Sequence, residues 1–278
     1  MRDYALLNFE SPGGIFAFFV LAVILWWFVG MSLCTGFCDN TYTWQKPYQA
    51  ALFLPALLVV FRLIGKYKTP MQRYGIAPIG PWKRYLLFGT LVGAGIFVFQ
   101  YLLRPDDYIW ASVLMLRSWF NWWTLLYLLI FMLNAIVLEF LFRGLILSLW
   151  AKQKNVWVGM VASSIMFAMT MTIWMMGLSF SWLQAFVWFS FGMLAGILAW
   201  LTRSLWTSVG LHLTFYTLFF ASAFVGLSDR FYHSYTLPPW LIFPMLALTA
   251  LIYWRPRRFI RLVNKMLFIQ PEEPPTEP

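Results

Sequence analysis

The 278-residue chain is 62% hydrophobic and 11% charged, with a mean hydropathy of +0.71 and a formal net charge of +10. A soluble chain is about a quarter charged, so this composition excludes a water-soluble globular domain and describes a polytopic membrane protein. The 17 Trp and 28 Phe suit rings that sit in lipid and at both headgroup interfaces.

Eight hydrophobic stretches lie near the ~20 residues that a spanning helix needs. They run over 14–33, 49–65, 85–103, 121–149, 156–176, 182–201, 205–227 and 239–254. The first lacks a strong basic n-region and an Ala-x-Ala cleavage signal, so it reads as a retained span. Cys34 and Cys38 follow it on the external side, spaced either for a disulfide around a small loop or for free thiols on one helix face. The second span contains Pro55, which requires neighbouring helices or water to satisfy the freed carbonyl. The fourth is long for one crossing and is expected to tilt or to turn at the interface near Trp119, Trp122 and Trp123. No internal repeat is visible, which disfavours a secondary transporter.

Lys and Arg set the orientation. With an even number of spans both termini share a side, and that side holds 16 of the 20 basic residues, leaving Lys46, Arg104, Arg117 and Arg230 opposite. The positive-inside rule then places both termini in the cytoplasm, in a bacterial inner or cytoplasmic membrane. The net charge is chiefly a topology signal with some attraction for anionic lipid heads. A nucleic-acid partner is not expected, because no basic soluble domain interleaved with aromatics exists to bind one.

The chain divides into two N-terminal spans with a basic loop (1–84), a transmembrane core (85–254), a basic interfacial segment (255–270) and a tail (271–278). In the interfacial segment Ile260, Leu262, Val263 and Met266 interleave with cations, as in a short helix lying on a leaflet. The tail is acidic and proline-rich, hence disordered, and serves as a solubilising end or as a docking peptide for a cytoplasmic partner. The fold class is an all-α transmembrane bundle of about eight spans.

Four places in the later spans hold polar groups at helix depth. Glu139 and Arg143 stand four residues apart and share a helix face on which they can pair. Ser163, Ser164, Phe167, Thr170 and Met171 follow in the fifth span. Gly192 and Gly196 have the small-xxx-small spacing of close helix approach. Thr202, Arg203 and Ser204 precede Gly210, His212, Thr214 and Tyr216 in the seventh. Ionisable groups at membrane depth are costly and mark a site facing the bundle interior. The plainest account of Glu139 and Arg143 is a structural staple, and that of the methionines at 166, 169, 171, 175 and 176 is adaptable packing. A zinc site would need three or four ligands, and His233 lies far from His212, so neither metal nor cofactor is expected.

These residues, in this order, resemble the CPBP family, which contains the type II CAAX prenyl endopeptidases and the bacterial Abi and bacteriocin-processing membrane proteins. The family order is E-E-x-x-x-R, then F-x-x-x-H, then H-x-x-x-N. Residues 139–144 resemble the second half of the first motif, 163–171 the second with Phe167 in place, and 192–212 the approach to the third. The resemblance covers roughly 121–227, with a weaker echo at Tyr74-Gly75-Ile76, and implies a CPBP-like core in the last five spans. In the family the first Glu activates water, the second pairs with the Arg, and two His and an Asn complete the polar site. By resemblance the water-activating Glu falls on Leu138, the paired Glu and Arg on Glu139 and Arg143, the first His on Met171, the second on His212 and the Asn on Tyr216.

Three of the four positions that perform hydrolysis are thus substituted. The expected function is a non-catalytic subunit, scaffold or assembly factor that binds other integral membrane proteins and lipids. The alternatives are an intramembrane CAAX-type endopeptidase with a site rearranged around Glu139, His212 and Tyr216, and a carrier using the former chamber. Leu138 and Met171 are expected to line that chamber and make it drier than a hydrolase needs.

Overall fold

The computed structural model describes residues 82–103, 122–176, 181–225 and 242–266, and all regular structure among them is helical. The helices are α1 (Trp82–Leu103), α2 (Trp122–Glu139), a π-helical segment (Phe140–Ile146), α3 (Leu147–Gln153), α4 (Val156–Met176), α5 (Trp182–Thr202), α6 (Leu205–Val225), α7 (Ile242–Trp254) and α8 (Pro256–Met266). Trp82–Phe99, Met132–Ala151 and Trp182–Thr202 are long and apolar enough to cross a membrane, and Val156–Thr172 and Ile242–Trp254 are shorter apolar stretches. The first two expected spans, the cysteines, His233 and the acidic tail lie outside the described residues.

Polar residues punctuate the bundle where the sequence leaves few other stops. The Asn155 side chain accepts a bond from Val158 N–H at 2.8 Å and caps the start of α4. Ser181 Oγ accepts from Gln184 N–H at the start of α5. At its end Arg203 adopts the left-handed region at φ 51°, while Arg203 N–H reaches Trp200 O and Ser204 N–H reaches Ala199 O. That pair of bonds closes a Schellman turn with an arginine where glycine is usual. Ser204 Oγ then accepts from Trp206 N–H at the first turn of α6, so two residues suffice to reverse the chain.

Glycine sets which helices pack closest. A Cβ on Gly89 would collide with Thr207 O, one on Gly93 would lie 2.8 Å from Leu211 O, and one on Gly210 would collide with Leu86 O. The α1–α6 seam is therefore a backbone-to-backbone contact that only small residues permit. The α4–α5 seam uses the glycines anticipated above: a Cβ at Gly192 would meet Ser164 Cβ at 3.0 Å, and one at Gly196 would meet Met160 Cγ at 3.0 Å. Because these seams are tight, the interior between α4, α5 and α6 fills with large rings. Phe167, Trp188, Phe191 and Phe215 are all buried there.

The long fourth span resolves its length differently from the expectation of a turn near Trp122. Trp122 and Trp123 open α2 as regular helix, Trp119 lies outside the described residues, and the irregularity comes 18 residues later as the π segment. Leu147 N–H bonds Phe142 O, five residues back, which marks the wider turn. Loosened carbonyls in such a turn need donors, and Ser148 Oγ supplies one to Gly144 O and to Leu145 O.

Candidate functional site

The π segment begins directly after Glu139, at the point where the buried charges stand. Glu139, Arg143 and His212 have no exposed surface at all. Arg143 Nη1 donates to Glu139 Oε1 at 3.0 Å, and His212 Nδ1 lies 2.7 Å from the same oxygen. Arg143 Nη2 donates to Gly192 O at 3.2 Å. One carboxylate oxygen thus gathers α6 and the π segment, while the guanidinium reaches across to α5. The small residue at 192 lets α4 approach α5 closely on one side, at Ser164, while its carbonyl accepts from Arg143.

Aromatic faces complete the surroundings. The guanidinium carbon sits 4.3 Å from the centroid of Phe167, close enough for a desolvated cation–π contact. His212 meets Phe167 and Phe191 edge-on, each with centroids 5.4 Å apart. Phe142 packs its edge on Phe167 at 5.5 Å. Phe167 therefore serves both the guanidinium and the imidazole, which explains why an aromatic stands at the one position of the F-x-x-x-H pattern that this chain keeps.

The carboxylate is used unevenly. Among the described residues Glu139 Oε2 has no hydrogen-bond partner, nor has Arg143 Nε, Ser164 Oγ or either polar atom of Asn134. Asn134 precedes Leu138 by one turn on α2, so its amide and the Leu138 side chain share a face. In the sequence this asparagine amid Leu and Met reads as an isolated polar residue, and the signal that marks it is an amide inside an apolar span.

Leu138 and Met171 are 1% and 0% exposed and belong to the hydrophobic core. The structure therefore brings Glu139, Arg143 and His212 into one cluster and places the two apolar substitutions in the packed interior. Tyr216 lies one turn after His212 on α6, and its side chain is outside the described residues. Met166 is buried with Met171, whereas Met169 is 37% exposed, so these three methionines do not share one buried face.

Helices of this length and apolarity around a buried Glu–Arg–His cluster point to an integral membrane protein. The family model described as "Type II CAAX prenyl endopeptidase Rce1-like" matches residues 120–218, which spans all three motif positions and supports the CPBP resemblance. No curated protein and no solved structure matches the chain.

Proposed function

We propose that this protein is a non-catalytic CPBP-like membrane protein that acts as a subunit, scaffold or assembly factor for other integral membrane proteins. The observation that carries this reading is the combined fate of Leu138, Met171 and Glu139. Leucine and methionine occupy the positions that the resemblance assigns to the water-activating Glu and the first His, and both are packed in the core. The remaining carboxylate is committed through Oε1 to an arginine and a histidine. A general base must aim a lone pair at the water it deprotonates, and Oε1 already serves two neighbours. Both termini and the 62–84 loop face the cytoplasm in this reading, on the strength of the basic-residue count.

A second reading, an intramembrane endopeptidase with a rearranged site, is favoured by one specific feature. Glu139 Oε2 is buried without a partner, beside an imidazole that contacts the other oxygen. A water on Oε2 would be the nucleophile of that alternative.

The experiment that separates the two is cleavage of farnesylated CAAX peptides by the purified protein in detergent, beside a Leu138→Glu, Met171→His, Tyr216→Asn variant. The first reading expects no turnover by the unmodified chain. Turnover that disappears in His212→Ala, while the variant still purifies as a folded species, overturns it in favour of the second.

A further inference from the structure

We propose that α8 and the first turn of α1 together form a binding surface for the headgroups of anionic phospholipids. The described surface carries a charge imbalance. Among the described residues Glu139 is the sole acidic side chain, and it is buried and paired within the bundle. Arg257, Arg258, Arg261 and Lys265 are exposed along α8, and among the described residues no acidic neighbour offsets them. Cations at spacing i, i+4 on one helix face repel one another, and here the Arg261 guanidinium is turned back along the helix, its Nε donating to Arg257 O at 3.4 Å. A helix so charged attracts anions to its surface.

The fold supplies a second arm to the same surface. The opposite side of α8 is apolar, with Val263 buried and Phe259 packed edge-on against Phe88 of α1 at 6.1 Å. Phe88 stands one turn beyond the exposed Lys83, so that cation opens α1 within about 8 Å, along its axis, of the point where α8 docks. Depth is indicated by two exposed tryptophans beside cations. Lys83 lies over Trp82 and Arg255 over Trp254, each 5.7 Å from the ring centroid, in the arrangement suited to a headgroup layer. Leu262, 56% exposed amid the α8 cations, is placed to enter the acyl boundary while its neighbours meet phosphate. Guanidinium forks match phosphodiester oxygens, and a fluid leaflet offers many such groups at once.

The test uses the full-length protein in nanodiscs of mixed phosphatidylcholine and phosphatidylglycerol, with the retained lipids counted by native mass spectrometry. Phosphatidylglycerol should be enriched over its share of the bilayer by at least about tenfold, since several cations act together near the surface. The enrichment should fall to the bilayer ratio in an Arg257→Gln, Arg258→Gln, Arg261→Gln, Lys265→Gln variant, and persist in Lys154→Gln with Arg203→Gln. Should the fourfold variant fail to fold, the unmodified protein decides alone: high salt must abolish the enrichment, because exposed charges are screened. Inorganic phosphate at matched ionic strength should displace no more lipid than chloride does. Retained lipid at the bilayer ratio, insensitivity to salt, or selective displacement by inorganic phosphate each overturns the proposal. So does enrichment that emerges only after Glu272, Glu273 and Glu277 are changed to Gln, which would make the chain's own tail the occupant.

Discussion

His212 Nδ1 approaches Glu139 Oε1 to 2.7 Å across 73 residues of sequence, and the oxygen it meets is the one that Arg143 already engages. Two helices and the π segment are thereby tied at a single atom in a region that holds no exposed surface. In an apolar interior such a tie is worth little as net stability over a well-packed apolar substitute, yet breaking one member of it is expensive.

Glu139→Gln should therefore cost about 3–5 kcal/mol of stability, because it leaves the Arg143 guanidinium buried without its counter-charge. Thermal unfolding followed by fluorescence in mild detergent reads the loss. Adding Arg143→Met to Glu139→Gln should recover a substantial part of it. A single substitution as stable as the unmodified protein would show that the pair is not a structural tie.

Phe167→Leu removes the ring face under Arg143 and the edge contacts to His212 and Phe142. The expected loss is about 2–4 kcal/mol, combining a partial cavity with a desolvated cation–π contact. A double-mutant cycle with Arg143→Met measures the cation–π share. Strict additivity of the two substitutions would remove that interaction from the account.

The α1–α6 seam makes a prediction independent of the charges. Gly89→Ala should abolish folded yield, since its Cβ would collide with the Thr207 carbonyl, a backbone atom that cannot swing aside. Gly95→Ala, on the same helix with open space where the Cβ would go, should be neutral or stabilising by up to about 1 kcal/mol from helix propensity. Size-exclusion profiles of a fluorescent fusion distinguish the two; equal behaviour would mean that α1 does not pack on α6 as described.

Reporter fusions at residue 75 and at the C-terminus should report the cytoplasm and one at residue 230 the outside. That pattern follows from the basic-residue asymmetry, and a reversed result at residue 75 would invert the orientation.

The sequence was legible where one residue type implies its own partner. Glu139 and Arg143 pair as their spacing requires, the Gly192 and Gly196 close approach is real, and the basic segment after residue 255 is helical from Pro256 to Met266. The motif order also brought His212 to notice, but its bond to Glu139 joins segments that no local rule connects. The Gly89, Gly93 and Gly210 seam is not legible in the sequence for a related reason. The stretch from 89 to 95 holds three glycines, and only knowledge of the packing partner tells which two face it. The π segment left no signature, because Phe140-Leu-Phe-Arg-Gly-Leu-Ile146 reads as ordinary apolar helix and its wider turn is imposed by what lies on either side.

Those two sides make incompatible demands on a regular helix. Upstream, Glu139 must point toward α6 to meet His212. Downstream, α3 must lay Leu147 and Ala151 against Gly159, where a Cβ would sit 2.7 Å from Leu147 O. The wider turn absorbs one surplus residue and so shifts the phase between these two halves by about 100° relative to an unbroken α-helix. A chain one residue shorter between 140 and 146 would still form a helix of adequate length and apolarity. It would satisfy either the carboxylate or the glycine notch, but never both, so the spacing of this segment is as tightly constrained as the identity of the charges beside it.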